Sequence, residues 1–191
     1  MKALILAALA ALASPALAQD EKAVCESPTS AGLYVPARQV QACTTLLETR
    51  SLDADQRATV LSNRARAHYD AGEGEAAAAD YGRSIQANPA YATAWYGRGT
   101  VHYEAERFAQ AIADFTQTLR LSPGHVNAYL NRGAAYARSG DLVQAEADFS
   151  EAIRLNPGEV AGWRNRSILR RMRGDAAGSA ADAAEAARRG G

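Results

Sequence analysis

The chain has 191 residues, enough for one domain or two small ones, and its 21 basic and 21 acidic residues cancel to a net charge of zero. That balance excludes the broad positive surface of a nucleic-acid-binding protein. Apolar residues make up 48 % and charged residues 22 %, which is ordinary for a folded chain and excludes general disorder. Alanine is abundant throughout, and the composition therefore predicts a helical protein.

The N-terminus has the parts of a secretory signal. A short basic start precedes residues 3–13, an unbroken run of Ala, Leu and Ile, and Ala16-Leu17-Ala18 supplies small residues where a signal peptidase cuts. Residues 1–18 thus resemble a bacterial signal peptide cleaved before Gln19. The alternative, a membrane anchor, needs roughly 18 or more apolar residues, and this run is too short. The mature protein is expected to be periplasmic or secreted, without stable membrane insertion.

Two cysteines, Cys25 and Cys43, lie near the mature N-terminus. An even number of cysteines in an oxidising compartment predicts a disulfide, so we expect a structural bridge between them. They form no CxxC motif, and a thioredoxin-like redox role has no support. The histidines His68, His102 and His125 are distant from both cysteines in sequence, which argues against a zinc site.

An internal repeat occupies the rest of the chain. Pro89, Pro123 and Pro157 lie 34 residues apart, each preceded by Asn or Ser. Large and small side chains recur at the same period. The columns are Leu61, Trp95, Tyr129 and Trp163; Ala65, Gly99, Gly133 and Ser167; Ala77, Ala111, Ala145 and Ser179; and Tyr81, Phe115, Phe149 and Ala183. This period with these columns resembles the tetratricopeptide repeat, TPR.

The resemblance implies an all-α fold, a right-handed α-solenoid of stacked helix-turn-helix units, over residues 58–189. The units are 58–91, 92–125, 126–159 and 160–189. A single helix pair cannot bury its apolar face alone, so neighbouring pairs must stack. Ahead of the units, residues 19–57 are expected to hold one capping helix over 36–49, because Val40-Gln41-Ala42-Cys43-Thr44 resembles Ile112-Ala113-Asp114-Phe115-Thr116. Residues 19–35 are expected to be irregular chain held by Cys25.

The sequence contains no catalytic constellation. It has no Gly-rich phosphate loop, no HExxH, no GxSxG and no cysteine near a histidine. His68 and His102 share one column, but histidines of stacked units are poorly placed to share a metal, so both are expected to pack between helices. We therefore expect a protein that is not an enzyme and has no cofactor and no metal.

Two charged columns are as regular as the apolar ones. An arginine recurs in all four units, and an aspartate follows it 16 positions later each time. This predicts a ladder of structural ion pairs, and the alternative is that the arginine column binds an acidic ligand. The arginines are Arg64, Arg98, Arg132 and Arg166, and the aspartates are Asp80, Asp114, Asp148 and Asp182.

The stripe of the first helices opposite the packing columns is expected to line the concave side of the arc. In the TPR family this groove commonly holds peptide segments, so the resemblance implies a protein or peptide partner. The Lys and Asn set with which some members clamp a C-terminal carboxylate is absent, since Ser62, Gly97 and Asn131 do not reproduce it. The expected partner-binding residues are Arg66, Tyr69, Tyr96, Thr100, Tyr103, Leu130, Arg164 and Arg171.

Three functions compete on these grounds. The first is a periplasmic scaffold whose concave groove binds a peptide or partner protein. The second is a structural or assembly component of an envelope complex that uses the convex face or an end of the stack. The third is an enzyme without a recognisable motif, which has the least support. A merely solvated concave face is the alternative for any single groove residue.

Overall fold

The structure, a computed structural model, describes residues 15–26 and 34–190. Most of the predicted signal peptide, residues 1–14, lies outside the described residues. The described part of the chain is all-helical and contains ten helices, so the predicted all-α class is confirmed. The helices are α1 (Pro15–Glu26), α2 (Pro36–Thr49), α3 (Ala54–Asp70), α4 (Gly74–Ala87), α5 (Ala92–Glu104), α6 (Phe108–Leu121), α7 (Val126–Ser139), α8 (Leu142–Leu155), α9 (Val160–Met172) and α10 (Ala176–Gly190).

Helices α3 to α10 form four antiparallel pairs that stack in chain order. Each first helix (α3, α5, α7, α9) packs on its own second helix, and α3, α5 and α7 each also contact the first helix of the next unit. The first helices therefore lie close together and line the inner, concave side. The second helices α4, α6, α8 and α10 form the outer, convex layer.

Small side chains allow the two helices of a unit to approach closely. A Cβ placed on Gly99 would lie 2.8 Å from the Phe115 ring, and one on Gly133 would lie 2.8 Å from the Phe149 ring. Both phenylalanines are buried, as the ring column predicted. The ring of each second helix thus fills the space left by a missing side chain on the first.

The turn inside each unit needs a residue with positive φ. Gly72, Gly140 and Gly174 supply it in three units, with φ of 80°, 90° and 84°. In the second unit Glu106 occupies the same position at φ 57°. A side chain in this left-handed region is costly because its Cβ approaches the following carbonyl oxygen.

The N-terminal segment differs from the prediction, because residues 19–26 of the stretch expected to be irregular (19–35) belong to α1, while residues 27–33 lie outside the described residues. A disulfide joins Cys25 of α1 to Cys43 of α2, with the two Cα atoms 5.0 Å apart and both side chains fully buried. Val24 beside it packs into a core with Leu46 and Val60. This packing stabilises α1, a helix that the local sequence does not predict. No helix within residues 15–26 and 34–190 is long and apolar enough to cross a membrane.

Helix α2 packs on α3 as a second-layer helix ahead of the first complete pair, and α1 packs on α2, so two helices precede the units where one capping helix was expected. Thr44 of α2 accepts a hydrogen bond from Arg64 at 3.0 Å, and Thr116 of α6 accepts one from Arg132 at 3.1 Å. These two threonines are the residues that the sequence comparison aligned.

Candidate binding groove

Each predicted Arg–Asp couple is an ion pair within a single unit. Nε and Nη2 of the arginine donate to the two carboxylate oxygens at 2.6–2.9 Å. All four aspartates are buried. Burial opposes ionisation of Asp80, but hydrogen bonds from Arg64 and Arg83 outweigh it and hold the pKa of that carboxyl below its ordinary value. The pairs are Arg64–Asp80, Arg98–Asp114, Arg132–Asp148 and Arg166–Asp182.

The remaining guanidinium nitrogen of three of these arginines bonds to the preceding unit. It donates to a hydroxyl on the second-layer helix before it, at 3.0–3.1 Å. The acceptors are Thr44 for Arg64, Thr116 for Arg132 and Ser150 for Arg166. In these units the guanidinium groups are occupied by protein partners, which favours the structural interpretation of the column over binding of an acidic ligand.

Tyrosine hydroxyls connect elements on the concave side of the N-terminal half. Tyr34 donates to Asp70 at 2.7 Å, and Tyr69 donates to Glu104 of the next first helix. Burial and the bond to Glu104 raise the pKa of Tyr69 to about 12. Both hydroxyls therefore already have protein partners. We call Tyr34, Tyr69 and Tyr96 the tyrosine rungs.

Tyr96 makes contacts through both its hydroxyl and its ring. Its hydroxyl accepts a bond from Asn131 at 3.0 Å, and its ring centroid lies 4.6 Å from that of His125 and 5.8 Å from that of Phe115. Burial raises the pKa of its hydroxyl. Thr100 donates to the backbone carbonyl of Tyr96 at 3.1 Å. Both residues were predicted to bind a partner, and in the structure both make intramolecular contacts.

Leu130 was predicted to line the groove, and this is wrong. Only 7 % of it is exposed, in a core with Phe149 of α8 and Leu169 of α9. The first helices have a third contact face, toward the next unit, besides the packing and open faces. Leu130 lies on that face, so it stabilises the junction between the third and fourth units.

The exposed apolar surface lies further toward the C-terminal end of the concave side. Ile168 and Met172 of α9 are 44 % and 63 % exposed, although both are large and apolar. With Tyr103 of α5 and Ala134 and Ala137 of α7 they line a depression of about 240 Å³. We call these five residues the apolar groove.

Cationic side chains border the apolar groove. Arg138 lines its edge and pairs with Glu106 at 2.8 Å. Arg164 and Arg171, on the same helix as Ile168, are exposed and form no ion pair with any described residue. Arg66, at the other end of the concave side, lies 3.4 Å from Asp70. Of the three arginines predicted to line the groove, the two without an ion pair to a described residue therefore lie in the fourth unit.

Sequence reasoning selected the concave face but not its most exposed apolar side chains. Ile168 and Met172 were not among the predicted site residues, because aromatic side chains were preferred as anchors. Their signal is present in the sequence, since at these two positions of the open stripe the earlier units carry Arg, Thr and Ala, and Asp, Glu and Arg, respectively. Among residues 15–26 and 34–190 no cluster of three or more His, Cys, Asp or Glu side chains could hold a metal ion.

The family profile for the tetratricopeptide repeat matches residues 62–125 and 99–160, which together span more than half of the sequence. The chain belongs to the tetratricopeptide repeat family. Its helix pairs and its stacking are those of the predicted TPR solenoid. Among curated proteins, none matches the sequence significantly.

Solved structures with the same fold fall into two groups. One form of MamA from Desulfovibrio magneticus RS-1 is 16 % identical, covers 90 % of this chain and 94 % of its own, and has a TM-score of 0.78. The TPR domain of Arabidopsis OM64 is 28 % identical over 62 % of this chain and 98 % of its own, with a TM-score of 0.61. The first TPR of Spaghetti (RPAP3), bound to the HSP90 peptide SRMEEVD, is 22 % identical over 62 % of this chain and 94 % of its own, with a TM-score of 0.61.

Proposed function

We propose that this TPR protein is a non-catalytic scaffold of the bacterial periplasm that holds an extended segment of a partner protein on its concave side. The TPR fold supports a protein–protein interaction scaffold, and the RPAP3 domain of the same fold is bound to a peptide. The proposed location rests on the resemblance of residues 1–18 to a signal peptide and on the buried Cys25–Cys43 disulfide, which is typical of oxidising compartments.

The observation that carries the proposal is the apolar groove. Ile168 and Met172 leave large apolar side chains in water where small residues of α7 make a depression beside them. Exposed apolar patches rimmed by polar residues mark interaction sites. The neighbouring Arg164 and Arg171 add free positive charge, so the best ligand is a segment with an apolar side chain and an acidic group close to it.

A matched pair of crosslinking sites tests the face. Met172 on the concave side and Val143 on the outer helix α8 are equally exposed, at 63 % and 64 %. A photo-crosslinking amino acid is placed at each position in turn, in cells exporting the protein. We expect a discrete partner crosslink from position 172 and none from position 143. Crosslinks from position 143 alone would contradict the groove and favour the second interpretation, assembly through the convex face.

Binding to the crosslinked partner is then measured by titration. Ile168→Asp and Met172→Asp should each weaken it by a factor of ten or more, because a carboxylate is desolvated where an apolar contact was made. Val143→Asp is the control and should leave the affinity unchanged. Melting curves of the three variants should coincide, since all three side chains are exposed. Sequencing of the exported protein should give Gln19 as its first residue.

A further inference from the structure

The junction between the first and second units lacks an acceptor that the other junctions have. Nη1 of the recurring arginine donates to a hydroxyl in the first, third and fourth units. At Arg98, in the second unit, Gly82 of α4 stands where the other units have the hydroxyl residue. A Cβ on Gly82 would lie 3.7 Å from Arg98 Nη1 and meet nothing else within 4 Å. In the described chain no acceptor bonds to this nitrogen, and the space in front of it is open.

Two further nitrogens beside Arg98 are buried without a hydrogen-bond partner. His102 Nδ1 lies 3.1 Å from an oxygen of Asp114, out of line for a hydrogen bond. Arg107 holds Glu75 through Nη2 at 2.8 Å, but its Nε has no acceptor. Buried polar nitrogens without a hydrogen-bond partner are rare in folded proteins, and each one needs an explanation. These two lie in one place.

The residues that correspond to His102 in the other units lie in different surroundings. Its counterpart in the first unit, His68, bonds to Glu73 at 2.6 Å, and the counterpart in the fourth, Arg170, bonds to Glu146 at 2.9 Å. In the third unit the position holds the bulky ring of Tyr136. In the second unit, therefore, the side chain at this position has no hydrogen-bond partner, whereas in the first and fourth units it has one.

These side chains line a cleft of about 510 Å³ on the outer side of the solenoid, between α4 and α6. Ala78, Ala79 and Ala113 form part of its walls, and their small side chains leave the space open. We propose that this cleft binds an oxyanion, the phosphate or carboxylate group of a small molecule, through Arg98, His102 and Arg107. The site is separate from the apolar groove, which lies on the opposite side of the solenoid.

Each arginine of the cleft is paired with one carboxylate, and only one of the two pairs can open easily. Asp114 is occupied by two hydrogen bonds from Arg98. Glu75 is 83 % exposed and holds Arg107 through a single pair of atoms, so an incoming anion can displace it. The anion would then accept bonds from both guanidinium groups, which are strong donors to phosphate and carboxylate.

Binding should take up a proton at His102. Burial, together with the charges of Arg107 and Arg98, lowers the pKa of this histidine, although Asp114 opposes them. An anion beside the ring favours its charged form and raises the pKa. Affinity for an anion whose own charge is constant should therefore increase as the pH falls below the ordinary histidine value of about 6.5.

The test is an NMR titration of the His102 ring proton in the full exported chain, at constant ionic strength. Inorganic phosphate and acetate are the two probes for phosphate and carboxylate ligands, and the tighter probe identifies the class. We expect saturable binding in the millimolar range or below with at least one of them. Sulfate, whose charge does not change between pH 6 and 8, should bind more tightly at pH 6.

Two variants and a control decide whether the cleft is responsible. Gly82→Ser supplies the hydroxyl that Ser150 of the third unit supplies to Arg166, and it should weaken binding by tenfold or more without loss of stability. Arg107→Gln should do the same. Arg154→Gln removes an exposed arginine that pairs with Glu151 at 2.6 Å, outside both the cleft and the apolar groove, and should leave anion binding unchanged. Absence of saturable binding, or binding that is equal in Gly82→Ser, Arg107→Gln and the unaltered chain, would overturn the proposal.

Discussion

The buried ion pair of the third unit should be strongly coupled. Asp148 and Arg132 expose only 8 % and 18 % of their side chains and share two hydrogen bonds of 2.8 Å. Donation to the Asp148 carboxylate also raises the pKa of the Arg132 guanidinium, so the arginine stays charged. Removing either partner leaves the other charge partly buried and unpaired, which costs about 3–5 kcal/mol when burial is deep. We expect Arg132→Ala and Asp148→Ala each to destabilise by about 3 kcal/mol, since Arg132 keeps some contact with water.

The double variant should recover part of this loss, because it leaves no unpaired charge. The coupling free energy from the four urea unfolding curves should be about 2 kcal/mol or more. Arg154 and Glu151 are the matched control, because they form a similar two-pronged pair at 2.9 and 2.6 Å on the surface. Their coupling should be far smaller, since exposed pairs contribute little. Additive single substitutions at Arg132 and Asp148 would refute the structural ladder and revive the ligand-binding interpretation of the arginine column.

Three further outcomes follow from particular residues. Glu106→Gly should be about 1 kcal/mol more stable than Glu106→Ala in urea unfolding, because both lose the bond to Arg138 and only glycine is unstrained at φ 57°; equal stability would show that the turn is unstrained. Because the pKa of His102 is lowered in the folded state, its contribution to the free energy of unfolding is complete above about pH 6.5 and is lost as the pH falls through that value toward the folded pKa. The free energy of unfolding of His102→Gln should therefore depend less on pH in this range. A pH profile equal to that of the unaltered chain would contradict this. Replacing Cys25 and Cys43 by serine should cost about 3 kcal/mol for a loop of 18 residues, within the chain-entropy account; mass spectrometry of the exported protein showing two free thiols would contradict the bridge itself.

The fold could be predicted because the 34-residue period repeats each packing role four times. A column such as Gly99 and Gly133 has one physical explanation, a close approach to Phe115 or Phe149, and the repetition makes that explanation visible without coordinates. The helix α1 could not be predicted in this way. It has no counterpart elsewhere in the chain, and the docking of Val24 and Cys25 stabilises it more than any local pattern does.

The candidate site was only partly predictable for a geometric reason. Dividing a first helix into a packing stripe and an open stripe ignores the face that meets the next unit. Leu130 and Tyr96 share that face, and both are in contact with neighbours there. The exposure of Ile168 and Met172 depends on the small residues Ala134 and Ala137 opposite them, which a single helical wheel does not reveal.

The two halves of the concave side differ in what a ligand must displace. Toward the N-terminus, a peptide would have to break bonds already made, such as those from Tyr69 to Glu104 and from Asn131 to Tyr96, and exchanging one hydrogen bond for another yields little net free energy. At the apolar groove a ligand displaces only water from Ile168 and Met172, and burial of apolar surface is favourable by about 25 cal/mol per Å². Affinity should therefore be concentrated at α7 and α9, while the tyrosine rungs keep the first helices at a fixed spacing. That spacing sets the distance between the apolar side chain and the acidic group that a bound segment must present.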